Sequence, residues 1–174
     1  MKIKIKKGRH YPYLLPWVLP FWVRKSGITA GYGQRSASFQ FTESCLFDLH
    51  DEDQHDVNKL FGFSIGNHHK GSSFRFGWRP NLKNATIQIV AYEYHDGVRQ
   101  KTMPICEVEI NRYYKYDILY CAREQRTTYF VNNFSFRNTF ELKKKHGLGY
   151  TLGVYFGGNE KAPQDIIIYK TKNN

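Results

Sequence analysis

A chain of 174 residues that is 41% hydrophobic and 17% aromatic has apolar mass for one packed domain and too much of it for a disordered tail. Lys and Arg outnumber Asp and Glu by 26 to 15, and the net charge of +11 biases the surface toward nucleic acid, acidic glycans or an acidic protein partner. Three widely spaced cysteines, Cys45, Cys106 and Cys121, exclude a disulfide framework or a metal knuckle and read as buried thiols kept in a reducing compartment.

The chain begins with Lys2, Lys4, Lys6, Lys7 and Arg9, followed by the apolar run YPYLLPWVLPFW at 11–22. The combination imitates a secretion signal, but Pro12, Pro16 and Pro20 break any helix there and no small-residue cleavage site precedes Arg24 and Lys25. The run is also too short to span a bilayer, so no membrane partner is expected. Residues 1–24 therefore read as an extended arm that lays Leu14, Leu15, Trp17, Leu19, Phe21 and Trp22 over its own domain or over another protein subunit. Residues 25–174 read as a single domain, made in the cytoplasm without a signal peptide.

From there the chain is a succession of short period-two segments. Strands are expected near 36–42, 60–65, 73–78, 86–94, 105–110, 113–121, 126–131, 134–140, 149–156 and 165–170. In the third of these Phe74, Phe76 and Trp78 fall on one face, with Ser73, Arg75, Gly77 and then Arg79 on the other, as in a strand with one wet side. His95, Asp96 and Gly97 read as a hairpin turn, and Asn132 and Asn133 as another, because Gly and Asn tolerate positive φ. The fold class that follows is all-β, an antiparallel β-sandwich with an N-terminal arm.

Two stretches along this path carry chemistry. The loop DLHDEDQHD at 48–56 holds five carboxylates and two histidines, and Asp48, Asp51, Asp53 and Asp56 are the oxygen ligands a calcium ion would use. The EF-hand spacing is absent, so the cofactor expectation is none, with the carboxylates capping a turn or balancing basic surface. In NHHKGSSFRFGWRPN at 67–81, Arg75 and Arg79 point away from the core. If the strand with Tyr92 and Tyr94 lies alongside, two guanidinium groups and two phenols share a sheet face able to hold an acidic sugar by bidentate contacts and stacking. Alternatively, Arg79 only pairs with Glu93. Nucleic acid is disfavoured as a partner, since the basic residues are dispersed and no reading motif accompanies them.

The ending LGVYFGGNEKAPQDIIIY at 152–169 resembles the closing strand pair of concanavalin-like jelly rolls, which include lectins, carbohydrate-binding modules and alginate-lyase-type enzymes. Together with NKLFGFSIGNHHKGSSFRFGWRPN it also resembles small sandwich proteins of gut bacteria and their large tailed phages. The lyase resemblance implies an Arg that neutralises a uronate, with His and Tyr as base and acid, and Arg75, His69 and Tyr155 are the counterparts. The Arg-x-Glu, Gln-x-His and Lys-x-Gly-x-Tyr-x-Gln patterns of that family are nonetheless missing: TLGVYFGGN lacks both the Lys and the Gln. The expectation is thus a non-enzymatic structural protein of a phage-like virion, capsid or tail, with self or other virion subunits as partners. The alternative is a carbohydrate-binding module for acidic glycans using Arg75, Arg79, Tyr92, Tyr94 and Tyr155, and the lesser one is a polysaccharide lyase.

Overall fold

The structure, a computed structural model, describes residues 1–12, 25–28, 32–143 and 147–171. Thirteen strands are present among them: β1 Lys2–Ile5, β2 Lys25–Ile28, β3 Tyr32–Phe41, β4 Asn58–Ile65, β5 Ser72–Asn81, β6 Thr86–His95, β7 Val98–Arg99, β8 Met103–Glu109, β9 Tyr113–Cys121, β10 Arg126–Val131, β11 Phe134–Thr139, β12 Gly147–Leu152 and β13 Ile166–Lys170. They form two antiparallel sheets. One runs β1-β13-β3-β9-β10-β11 and the other β2-β12-β4-β5-β6-β7, with β8 also paired to β6. The chain is a concanavalin-like jelly-roll sandwich: the alternating pattern predicts the antiparallel sandwich, and the resemblance of the ending at 152–169 implies the jelly roll.

Period two builds the interior. Phe74, Phe76 and Trp78 of β5 and Ile87, Ile89 and Ala91 of β6 face Tyr116, Ile118 and Tyr120 of β9 and Tyr129 of β10, all essentially without solvent exposure. The Phe76 ring meets Tyr116 and Tyr129 edge to face at 5.2 and 5.1 Å, the orientation that puts positive ring edges against negative ring faces. Asp96 and Gly97, at φ 49° and 85°, make the two-residue turn that joins β6 to β7, and Asn132 at φ 48° does the same between β10 and β11.

Three departures from the sequence reading have physical causes. The segment read as arm is divided: Lys2–Ile5 pairs with β13 as an edge strand, while Leu14, Leu15, Trp17, Leu19, Phe21 and Trp22 lie outside the described residues. The strand expected over 149–156 ends at Leu152, because Tyr155 leaves the ladder and bridges only to Lys59. Of the thiols, Cys45 is buried, but Cys106 and Cys121 are half-buried.

Glu93 is the polar exception inside. It shares the inward face of β6 with Ile87 and Ile89, so it cannot meet Arg79, which points the other way and donates to Gln88 Oε1 at 2.7 Å. Glu93 Oε1 instead accepts from Thr127 Oγ1 at 2.7 Å and Tyr129 Oη at 2.8 Å, and Oε2 accepts from Asn138 Nδ2 at 2.7 Å and contacts His95 Nε2 at 2.8 Å. Burial alone would raise its pKa; the hydrogen bonds from His95 and Thr127 and the His95 charge outweigh it and hold the carboxyl below its ordinary value. A depressed carboxylate pKa contributes stability that is present above the unfolded value and lost as pH falls through the folded one. Glu93→Gln, which turns an acceptor into a donor against these groups, is expected to lower the unfolding free energy by about 3 kcal/mol. Urea titrations from pH 7 down to pH 3 are the check: the variant should lose the acid-dependent part of its stability that the parent protein shows below the ordinary glutamate range.

Candidate functional site

Outward-facing residues of the seven-stranded sheet form a cleft. The register Arg75↔Tyr92 and Ser73↔Tyr94 places Arg75, Tyr92 and Tyr94 side by side on that face. Lys59 joins them through a register shift between Lys59 and Phe61: Lys59 pairs with outward Gly77, the extra residue Leu60 is buried, and Phe61 pairs with inward Phe76. Without that bulge Lys59 would share the inward face of Phe61, Phe63 and Ile65. Residues 153–159 cross in front, held by reciprocal backbone hydrogen bonds between Lys59 and Tyr155 at 2.8 and 2.9 Å.

The cleft has two adjoining lobes that share His68, Arg75 and Tyr155. The first is cationic and aromatic. Lys59 Nζ donates to the Gly157 carbonyl at 2.6 Å and lies 5.0 Å from the Tyr92 ring and 5.6 Å from the Tyr155 ring, while Arg99 lies 5.3 Å over Tyr92. Arg75, 8% exposed, gives Nη2 to the Gly153 carbonyl at 2.9 Å, and its Nε has no hydrogen-bond partner in the protein. Among the described residues no carboxylate lines either lobe, and none forms an ion pair with Lys59, Arg75 or Arg99. The second lobe is bounded by Tyr11, Tyr150, Leu152 and Val154.

Burial and mutual repulsion set the protonation states. Desolvation, then the charge of Arg75, lowers Lys59 to about 8 against the opposing charge of Asp56, and desolvation lowers Arg75 to about 10. At neutral pH both remain cations. Burial pushes Tyr92 up to about 12 and raises Tyr155, so these phenols stay protonated. Burial, with His69 and Arg75 nearby, lowers His68 to about 4, leaving a neutral imidazole whose Nδ1 meets the Tyr150 hydroxyl.

The N-terminal segment completes the wall. Gly8 N–H donates to the Ala162 carbonyl at 2.8 Å, Ala162 N–H to the Arg9 carbonyl at 3.0 Å, and Phe156 N–H to the His10 carbonyl at 2.6 Å. His10 then stacks on Tyr155 at 5.2 Å with 9° between the ring planes.

Arg75, Tyr92 and Tyr94 thus converge as the alternation predicts, and Tyr155, singled out by the resemblance, joins them from outside the strand ladder. Arg79 does not. Val57 and Val90 close over Gly77, where a Cβ would come within 2.3 Å of Val57 Cγ1, and this apolar plug separates Arg79 from Arg75. Arg79 is turned to Gln88 and the His55 carbonyl. His69 lines the cationic lobe edge-on to Tyr94 at 5.5 Å, whereas His68 borders both lobes. Lys59, His68, Arg99 and Tyr150 were not legible as site residues, Lys59 because its sequence parity is that of the core. In the acidic loop, Asp51 accepts from Asp53 N–H and Asp48 from His50 N–H, each at 2.9 Å, and a Cβ on Gly158 would come within 2.2 Å of Asp56 Oδ2. Among the described residues no group of three or more His, Cys, Asp or Glu converges as Asp48, Asp51, Asp53 and Asp56 would around calcium.

No family model matches the chain, and no curated protein matches it. Solved structures do. An alginate lyase from Pseudomonas aeruginosa superposes with a TM-score of 0.54 at 10% identity over 80% of this chain, and a second alginate lyase with 0.58 at 10% identity over 99%. A marine PL7 alginate lyase from Zobellia galactanivorans gives 0.52 at 13% identity over 84%. This chain spans 64%, 77% and 62% of their respective lengths. The reading as a capsid or tail component of a phage-like particle is overturned by these neighbours, which are polysaccharide-cleaving enzymes, and the likeness to proteins of gut bacteria and phages is not found. At such identities the likeness establishes the fold alone: a concanavalin-like jelly roll.

Proposed function

We propose that the cleft binds an acidic polysaccharide, holding the anionic group of one sugar on Arg75, Lys59 and Arg99 and resting sugar faces on Tyr92, Tyr94 and Tyr155. The observation that carries this reading is a buried guanidinium and a buried ammonium that form no ion pair among the described residues, Asp56 behind Gly158 being the carboxylate whose charge reaches Lys59. Removing such charges from water is costly, and an incoming anion offsets the cost by supplying the missing partner. The guanidinium fork suits a carboxylate or sulfate, and phenol rings suit the C–H faces of a pyranose. That alginate lyases share the fold supports the ligand class, since alginate is a polyuronate.

A second reading, cleavage by β-elimination, is favoured by one feature: a neutral imidazole and a protonated phenol flank Arg75 in the shared part of the cleft. In this scheme Arg75 neutralises the uronate carboxylate. His68 accepts the proton from the carbon next to it, the glycosidic C–O bond breaks, Tyr155 gives its proton to the leaving oxygen, and a C=C bond forms in the sugar. Thr151 and Gly157 stand where the resemblance calls for Lys and Gln, so Lys59 and Arg99 would supply the charge.

Isothermal titration with a polyuronate oligosaccharide, and with its carboxyl-reduced neutral counterpart, checks the first reading. Arg75→Ala and Lys59→Met should each weaken binding by at least about tenfold, or 1.4 kcal/mol, with Arg79→Ala unchanged and the neutral sugar not bound. Equal binding of the neutral sugar would sink the reading.

A pH series tests the charge on Lys59. The free protein loses that charge as pH rises through about 8, so affinity should fall over this limb and the fall should vanish in Lys59→Met. The sign for folding is opposite: a lowered Lys pKa penalises the fold below 8, and the penalty is relieved between 8 and the ordinary value of 10.5. For cleavage, the conjugated product absorbs in the ultraviolet. Tyr155→Phe should bind as before and lose on the order of a hundredfold or more in rate; if no absorbance develops with any polyuronate, the elimination scheme is wrong.

A further inference from the structure

We infer that the ligand is an alternating polymer, with an acidic sugar in the cationic lobe and an uncharged sugar in the adjoining one. This rests on the acidic-polysaccharide reading and narrows it to a class. The two lobes enclose similar volumes, about 330 and 280 Å³, so what distinguishes them is chemistry rather than size.

The cationic lobe owns Lys59 and Arg99 in addition to the shared Arg75, while the other has no cation of its own among the described residues. Toward that lobe Arg75 turns Nη2, which donates to the carbonyl of Gly153 in its wall. A carboxylate placed there would face this carbonyl oxygen. The Tyr150 hydroxyl is likewise engaged, accepting the backbone N–H of His68 at 3.2 Å and meeting its ring Nδ1. Apart from the shared His68 and Tyr155, the rest of its wall among the described residues is formed by Tyr11, Leu152 and Val154 with the ring of Tyr150. Burying an unpaired carboxylate against such a wall is strongly unfavourable, whereas a neutral ring that keeps its C–H face to the tyrosines loses little hydration. A uniform polyuronate must put a charge in every position. A polymer that alternates uronate with a neutral N-acetylhexosamine, in either register of its two sugars, has one register that satisfies both lobes.

The experiment compares two oligosaccharides carrying the same number of carboxylates, one of hyaluronan and one of polygalacturonate, titrated into the whole protein at fixed salt. The hyaluronan oligosaccharide should bind about tenfold tighter or more. Tyr11→Arg adds a cation to the neutral lobe at a position 54% exposed, where folding tolerates it, and should tighten the polygalacturonate relative to hyaluronan so that the preference narrows or reverses. Polygalacturonate binding as tightly as hyaluronan, or more tightly, overturns the alternation while leaving the acidic-polysaccharide reading intact. Failure of both sugars, and of their sulfated analogues, overturns that reading and the inference with it.

Discussion

A guanidinium held out of water without a counter-charge is the constraint on which the arrangement of this cleft depends. Arg75 sits on a central strand of the seven-stranded sheet, and its position is fixed because Phe74 and Phe76 on either side are locked in the interior. The flanking aromatics deny the charge an easy exit to solvent. The rings of Tyr92 and Tyr155 wall it in, and the Gly153 carbonyl accepts one of its donors. Everything nearby either accommodates that charge or adds to it, which is unusual for a site whose purpose is stability alone.

The inner and outer chemistry of the same strands are linked by parity. On β6, Tyr92 and Tyr94 face the cleft while Ala91, Glu93 and His95 face the opposite sheet, and Glu93 ties β6 to Thr127 and Tyr129 on β10 and to Asn138 on β11. The back of the cleft is therefore anchored across the sandwich by hydrogen bonds to a carboxylate as well as by packed rings. Rigid support of this kind keeps site residues in a fixed geometry without a ligand.

Most of the fold was legible because period two is a direct imprint of one buried face. SFRFGW showed which residues share a face, although its outer face is covered rather than wet, with Ser73 and Arg75 buried, and the turns at Asp96–Gly97 and Asn132–Asn133 followed from residues that accept positive φ. Three of the five proposed ligand residues, Arg75, Tyr92 and Tyr94, converge for the same reason, and Tyr155 reaches them from the segment that crosses in front. Three things broke the rule. Lys59 crosses to the outer face through a bulge, which parity cannot reveal; Arg79 has the right parity but is cut off by Val57 and Val90, whose approach over Gly77 depends on long-range packing. His68 reaches the cleft from a turn, Arg99 from β7 and Tyr150 from β12, and the placement of each is set by tertiary contacts.

The pairing of β1 with β13 carries a kinetic consequence. Lys2–Ile5 finds its hydrogen-bonding partner only at Ile166–Lys170, with nearly all the other strands between them in sequence, and Gly8 to His10 dock on residues 156–162. Contacts of such separation are slow to close, since the loop entropy is lost before the pairing compensates for it. Closing the wall that places His10 against Tyr155 therefore costs more loop entropy than closing any hairpin of the two sheets.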